Sequence, residues 1–524
     1  MLHSAVPAVT QRVRHILFRH LEAGELHVRH LEDDPGLVPL LGKRPRNCEE
    51  LLKRAPLSAR RLVPPEKLAA ALLGYAERHG APPPVLEAAR AVADGKTLFV
   101  VTGQQPGLFG GPLYTVHKVA TAIRLAQELG KQSGLRIVPL FWNHTDDHDL
   151  DEMNRAFLVN QSQELQRFRL DFESVGESAR DLPIGRALES ALDGAAALLP
   201  ASEFREWALA TLRPRHPDEH FGDSQARLLF SLFGKHGLLV IEPRDLPSEA
   251  QTPLPKWFEA TNTIRSVTRA TADDIADLGL DVTIDPGATL MFEQSGSRRN
   301  ALGDGEPLVR LDNLSPGAIL RPLWQDACLA TIASVVGPGE LSYLAVAGPL
   351  YQKLGVPQPV LVPRASMTLV EPSLAKLMQR YQWDLPDLKE GPDRLLQSLP
   401  LDEQSAVEEA LDELAMSAKR RLQELAGAIR EADASMLGAF ERTQGKVVEE
   451  LQKLLVKVRN SRQNRQGTGQ RQVRRLCNNL MPKGRLQERV LPVLPFLVTH
   501  GEALADQILL AADPFATAHI VLEL

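Results

Sequence analysis

The sequence predicts an α/β protein in which inserted segments interrupt a parallel-sheet core and a long helical arm follows it. Three observations carry this. Residues 98–142 read as one β-loop-α-β unit: a β-rich run at 98–101, a loop with Gly103, Gly107, Gly110 and Gly111, a helical pattern over 113–129, and an apolar strand over 137–142. Further buried-strand signals, continuous in apolar character, recur at 237–243 and 359–362. From Val407 to Val458 apolar or small residues recur in steps of three and four, apart from one gap across Thr443, for longer than an ordinary helix runs.

The elements between follow from local chemistry. Residues 1–95 read as helical, punctuated at Pro64-Pro65 and Pro82-Pro83-Pro84, because proline fits a helix's first turn and breaks its interior. The core begins at 96–160. A helical insertion is expected at 161–235, core again at 236–279, and a β-ribbon at 280–315, where Asp-Pro-Gly, Ser-Gly-Ser and Gly-Asp-Gly split short apolar runs. Core completion is expected over 316–400, the arm over 401–480 and a segment packing back on the core over 481–524. The arm's mean spacing is nearer 3.6 than 3.5, so little left-handed supercoil is expected. Gly438 and Gly445 are places where it could break, into two antiparallel helices.

Composition bounds the function. The chain has 524 residues, an apolar fraction of 44% and a formal charge of −6, which gives no global attraction to nucleic acid or anionic membranes. Cys48, Cys328 and Cys477 form no metal or disulfide pattern and fit a reducing cytosol. Arg12, Arg14 and Arg19 have no apolar run behind them, and no stretch reaches the roughly 18–20 apolar residues of a spanning helix. A cytoplasmic protein is expected. The 441–475 stretch carries ten Lys or Arg against three acids, but its basic half lacks aromatics for base stacking, so a solvated helix face is expected rather than a nucleic-acid site.

Candidate chemistry clusters at strand ends, where ligands bind in open α/β sheets. TGQQPGLFGGPLYTVHK supplies Thr102, Gly103, Gln104, Gln105, Gly111, Tyr114, His117 and Lys118. It matches neither standard phosphate-loop fingerprint. HTDDHDLDE supplies His144, Asp147, His148 and Asp149, suited to a general base held by a carboxylate; a metal is not expected, since the spacing also fits many non-metal sites. Farther on, Glu340, Tyr343, Arg364 and Ser366 follow a turn and a strand end, where Arg364 could grip a carboxylate or phosphate.

Two resemblances sharpen this. GPLYTVH resembles the GPLHLGH form of the motif with which class I aminoacyl-tRNA synthetases bind ATP, with Tyr114 in place of its first histidine and His117 as its second. TGQQPGLFGGPLYTVHK, FWNHTDDHDLDEMN, RPLWQDACLATIASVVGPGELSYLA, VPRASMTLVEP and LMPKGRLQERV together resemble the cysteine-adding ligase family of bacillithiol biosynthesis, BshC. The resemblance implies a Rossmann-like core similar to class I synthetases and nucleotidyltransferases, connecting-peptide insertions and a coiled coil. It implies an amide-forming ligase that joins cysteine to the amine of glucosaminyl malate through an activated carboxylate, with ATP as the co-substrate. His117, Asp147, His148 and Asp149 would then be catalytic, and the other residues named would bind substrate or nucleotide. His144 stands where the family has a small residue and carries no implied role. The arm would make a homodimer. One pocket holding His117, Asp147 and His148 is expected. Rival readings are another adenylate-forming or nucleotidyl-transferring enzyme, an RNA-binding relative of a synthetase, or a non-catalytic scaffold.

Overall fold

The computed structural model describes residues 13–21, 23–57, 61–172, 176–304, 313–398 and 404–524. Arg12, the 305–312 stretch of the expected ribbon and the arm's expected start at 401 lie outside them. The strands are β1 (Val13–Leu17), β2 (Leu98–Gln104), β3 (Ile137–Asn143), β4 (Arg155–Val159), β5 (Leu165–Arg169), β6 (Leu239–Ile241), β7 (Met291–Ser295), β8 (Arg298–Ala301), β9 (Leu314–Pro316), β10 (Thr331–Val336), β11 (Val360–Pro363), β12 (Met367–Val370) and β13 (Ala518–Glu523).

The chain divides into two compact units. The first comprises Met1–Gln161, Leu165–Ala375 and Arg485–Leu524. Its centre is a five-stranded sheet in the order β11-β10-β2-β3-β6, with every neighbour parallel. In chain order the strands run outward from β2 to β3 and β6, then return to the other side of β2 as β10 and β11. The direction of winding therefore reverses between β2 and β10. A parallel sheet covered on both faces needs strands apolar all along, and β10 and β11 are buried at every position. The crossover helix from β2 to β3, Tyr114–Ser133, ends at Gly134 in the left-handed region.

Three smaller sheets decorate this core. β4 and β5 form an antiparallel hairpin, and β8-β7-β9 form the ribbon that the turn signals predict. In the third sheet β13 lies between β1, antiparallel, and β12, parallel. The sequence reading missed β1, taking the first 95 residues as helical. Its exposure pattern shows the reason: only Ile16 of its five residues is buried, so no apolar alternation marks it.

The second unit, Ser162–Glu164 and Lys376–Gly484, contains the arm. Two helices, Gln404–Ala432 and Leu437–Leu480, are joined by a turn at Ala434–Met436 and pack on each other as a hairpin. The break falls just before Gly438, where Asp433 accepts the backbone N–H of Ser435. The long apolar stripe is divided. Leu411, Leu422 and Leu451 are half-buried, whereas Leu414 (52%), Leu425 (52%) and Leu454 (47%) remain exposed. No helix among the described residues is long and apolar enough to cross a membrane.

The loop after β2 is fixed by packing. Leu113 donates its N–H to the Leu491 carbonyl. Gly110 has φ +86°, and a Cβ there would collide with the Leu228 side chain. Gly110→Ala is expected to combine left-handed strain with overpacking and cost roughly 2–4 kcal/mol. Urea denaturation checks this; an unchanged midpoint would show that the loop relaxes freely.

Candidate functional site

The reversal between β2 and β10 opens a crevice at their carboxyl ends, the place where an open α/β sheet binds ligands. Gly103 and Gln104 end β2, and Gly337 follows β10. The helix Pro338–Leu354 starts there, and Glu340 accepts the Gly337 N–H at 2.7 Å. Lys118, in the second turn of the crossover helix, reaches the crevice from below. Its Nζ donates to the Gly103 carbonyl and to Gln104 Oε1, both at 2.8 Å, and pairs with Glu340. Burial pushes the Lys118 ammonium below its ordinary range, and Glu340 opposes that. Gln104 Nε2 donates to the Tyr114 hydroxyl at 3.4 Å, and the Tyr343 hydroxyl donates to Glu340 at the same distance. Thr102 is occupied inside the sheet, donating to the Val335 carbonyl.

Beside the crevice lies a fully buried network around Glu488. Its carboxylate accepts two bonds from Arg364, at 2.8 and 2.6 Å. It also accepts from Ser366 Oγ at 2.7 Å, the Met367 N–H at 3.0 Å and His117 Nδ1 at 2.8 Å. Burial works against ionisation of Glu488, but Arg364 and His117 outweigh it and hold the carboxyl well below its usual range. A carboxylate only accepts, which fixes the other protons. Ser366 donates to Glu488, so it accepts from His519 Nδ1–H at 2.8 Å; His519 Nε2 then accepts from Thr368 Oγ1 at 2.8 Å. Burial lowers the His117 pKa, and Glu488 only partly offsets this. His117 is therefore a neutral imidazole with its proton on Nδ1. Its Nε2 is a buried acceptor with no partner among the described residues.

A third cluster lies past the end of β3. Asp147 accepts from Gln105 Nε2 at 2.9 Å and pairs with Arg321 at 3.4 Å. Burial opposes its ionisation, but Arg321 and Arg299 prevail and hold it far below the carboxylate range. His148 presents Nδ1 to Arg299 at 3.4 Å and packs its ring edge-on to Phe292. Asp149 is exposed and donates its N–H to Asp147. His144 turns the other way, against Gly103, where any Cβ would collide with its ring. No group of three or more His, Cys, Asp or Glu is arranged to hold a metal among the described residues.

The expected single pocket around His117, Asp147 and His148 thus resolves into two networks flanking the Lys118 crevice. His117 is drawn onto Glu488 and shows no surface, while Asp147 and His148 are drawn onto arginines. Gln104 and Gln105, adjacent in sequence, link the crevice to the Asp147 cluster. Sequence reasoning assigned no role to Glu488, His519, Arg299 or Arg321. Glu488 and Arg321 stand inside motifs already singled out, LMPKGRLQERV and RPLWQDACLA, and that position was the available signal.

Glu488→Gln is expected to leave Arg364 buried without its counter-ion and cost ~3–5 kcal/mol. Because the folded pKa is depressed, this stabilisation is complete above the ordinary carboxylate range and fades as pH falls toward the folded value. Melting curves carried from pH 7 down through the carboxylate range, to about pH 3, should show the wild type losing stability faster than the variant; parallel curves would refute the assignment.

Comparison with known proteins places this architecture. Residues 13–311 and 308–365 match the family model described as the N-terminal Rossmann-like domain of bacillithiol biosynthesis BshC, and residues 367–524 match its C-terminal coiled-coil domain. Similar proteins include one from Salinibacter ruber, 30% identical over 89% of this chain and 90% of its own length. Another, from Heliobacterium modesticaldum, is 29% identical over 88% and 92%. A third, from Koribacter versatilis, is 30% identical over 85% and 88%. All three carry the name "Putative cysteine ligase BshC". The Rossmann-like sheet, the helical arm and these matches over most of the chain lead to one conclusion: the chain belongs to the BshC family of bacillithiol biosynthesis.

Proposed function

We propose that this protein is a cytoplasmic ligase that joins the carboxyl group of cysteine to the amine of glucosaminyl malate. The observation that carries the reading is the crevice at the winding reversal, where Lys118 is held between Gly103, Gln104 and Glu340. An amide forms only if a carboxyl C–O bond breaks while the C–N bond forms and the amine gives up a proton. A buried cation fixed beside the reacting carboxyl stabilises negative charge as it develops on oxygen. ATP is the co-substrate this reading assigns: bound, it would make the carboxyl reactive, and Lys118 with the opening turn of the crossover helix would meet its phosphates.

Asp147, held firmly ionised, is a weak proton acceptor and acts by orienting its neighbours. His148, exposed at the same cluster, is the group assigned to accept the amine proton. His117, enclosed with Glu488, positions Arg364 and the crossover helix. With purified cysteine, glucosaminyl malate and ATP, Lys118→Ala and His148→Ala are each expected to lower turnover at least ~10-fold with the fold intact, as positioned acid–base and electrostatic groups do. Asp147→Asn should lower turnover without moving the pH profile. Near wild-type rates for Lys118→Ala would remove the reading's main support, and product formed equally without ATP would remove the co-substrate.

The reading includes a homodimer through the arm. Leu414, Leu425 and Leu454 leave apolar surface on the outside of the hairpin, which monomers rarely keep. Light scattering is expected to give a mass near two chains, falling to one for the triple substitution Leu414→Asp, Leu425→Asp and Leu454→Asp. A wild-type mass of one chain across micromolar concentrations ends the dimer proposal.

A further inference from the structure

Behind Gly103, under the helix Pro338–Leu354, lies a cavity of about 40 Å³ with a mixed polar and apolar lining. One water needs roughly 10–15 Å³ of such space, so this cavity admits a compact group the size of one or a few waters. It is continuous with the crevice, since Gly103 and Glu340 belong to both. Asp326, Ser334 and Tyr351 line its inner part.

Two features of that lining are unusual. Asp326 is 3% exposed and has no cationic partner among the described residues; it accepts from Tyr351 Oη at 2.7 Å and Gln325 Nε2 at 3.3 Å. A buried carboxyl without a counter-ion is costly in its charged form. Burial accordingly pushes it up to about 7, against the hydrogen bond from Tyr351. Independently, Ser334 Oγ is buried, lines the cavity and has no hydrogen-bond partner among the described residues. An acid lacking a cation and a hydroxyl lacking a partner, around a space the size of one small group, together describe a receptor for a compact donor that carries positive charge.

We propose that this cavity receives the α-ammonium group of the cysteine substrate, with Asp326 as its counter-ion and Ser334 as an acceptor. The proposal rests on the ligase reading above and deepens it. An ammonium ion is close to water in size and donates several hydrogen bonds. Seating it deep would leave the cysteine carboxyl toward Gly103 and Lys118. It would also keep that nitrogen protonated and unable to attack an activated carboxyl, so that the amine of the second substrate is the one free amine present.

The test uses the full chain and two probes, L-cysteine and 3-mercaptopropionate, which lacks the amino group. Calorimetry on the wild type is expected to show L-cysteine binding at least ~10-fold tighter. Asp326→Asn should weaken L-cysteine at least ~10-fold, raise its KM to match, and leave 3-mercaptopropionate unchanged, so that discrimination collapses. A merely structural role would weaken both probes alike. Ser334→Val fills the cavity without altering Asp326 and should give the same selective loss; it decides the matter if Asp326→Asn does not fold. Unchanged discrimination in a folded variant, or parallel loss of both probes, overturns the ammonium site. A wild type that forms no amide from cysteine overturns the ligase reading itself, a distinct result.

Discussion

The Glu488 carboxylate is the interaction on which the rest of the site depends. Five donors from the crossover helix and the segment after β11 converge on it. Burying an ion pair rarely adds net stability, because desolvation offsets the attraction. What it contributes here is placement. Arg364 can meet a carboxylate through two parallel bonds in only one orientation. Once it does, the chain after β11 is fixed, and with it the start of β12 and its pairing with β13. His117 ties the same carboxylate to the helix whose next residue is Lys118. The crevice therefore inherits its geometry from a group that does not open onto it.

This arrangement separates holding from reacting. The groups around Glu488 are neutral or fully paired and enclosed. The groups around Lys118, Asp147 and His148 are less enclosed and lie where the sheet's winding reverses. Glu340 joins the two kinds of role, capping Gly337 while pairing with Lys118. A site built in this way keeps Lys118 on a rigid support, since it directly follows the enclosed His117.

Much of the fold was legible in the chain because its signals are local. Unbroken apolar runs gave β2, β3, β6 and β11; turn dipeptides gave the ribbon; threes and fours gave the arm. β1 escaped because only one of its five residues is buried, and β13 because its partners lie far away in sequence. The arm's stripe was visible, but its division into an inner face through Leu422 and an outer one through Leu425 depends on where the hairpin turns. At the site, motif position identified Lys118, Glu340 and Arg364. It did not show that His117 would be claimed by Glu488, because that contact spans 371 positions. Two glycines of the loop after β2, which carried no assigned role, proved to be committed to packing. A Cβ at Gly107 would press on Gly111, and one at Gly110 would strike Leu228.

The same separation bears on how the protein is made. A ribosome adding ~5–20 residues per second would deliver Glu488 about 20–70 s after His117 and about 6–25 s after Arg364. Through the second of these intervals the Rossmann-like strands are present, but the guanidinium and imidazole that belong inside have no carboxylate to meet. The chain around Arg364 can therefore take its final geometry only when the last segment arrives. Quality-control machinery would meet this protein chiefly in that waiting state, and a nascent chain stalled before Glu488 would carry a recognisable core but no assembled crevice.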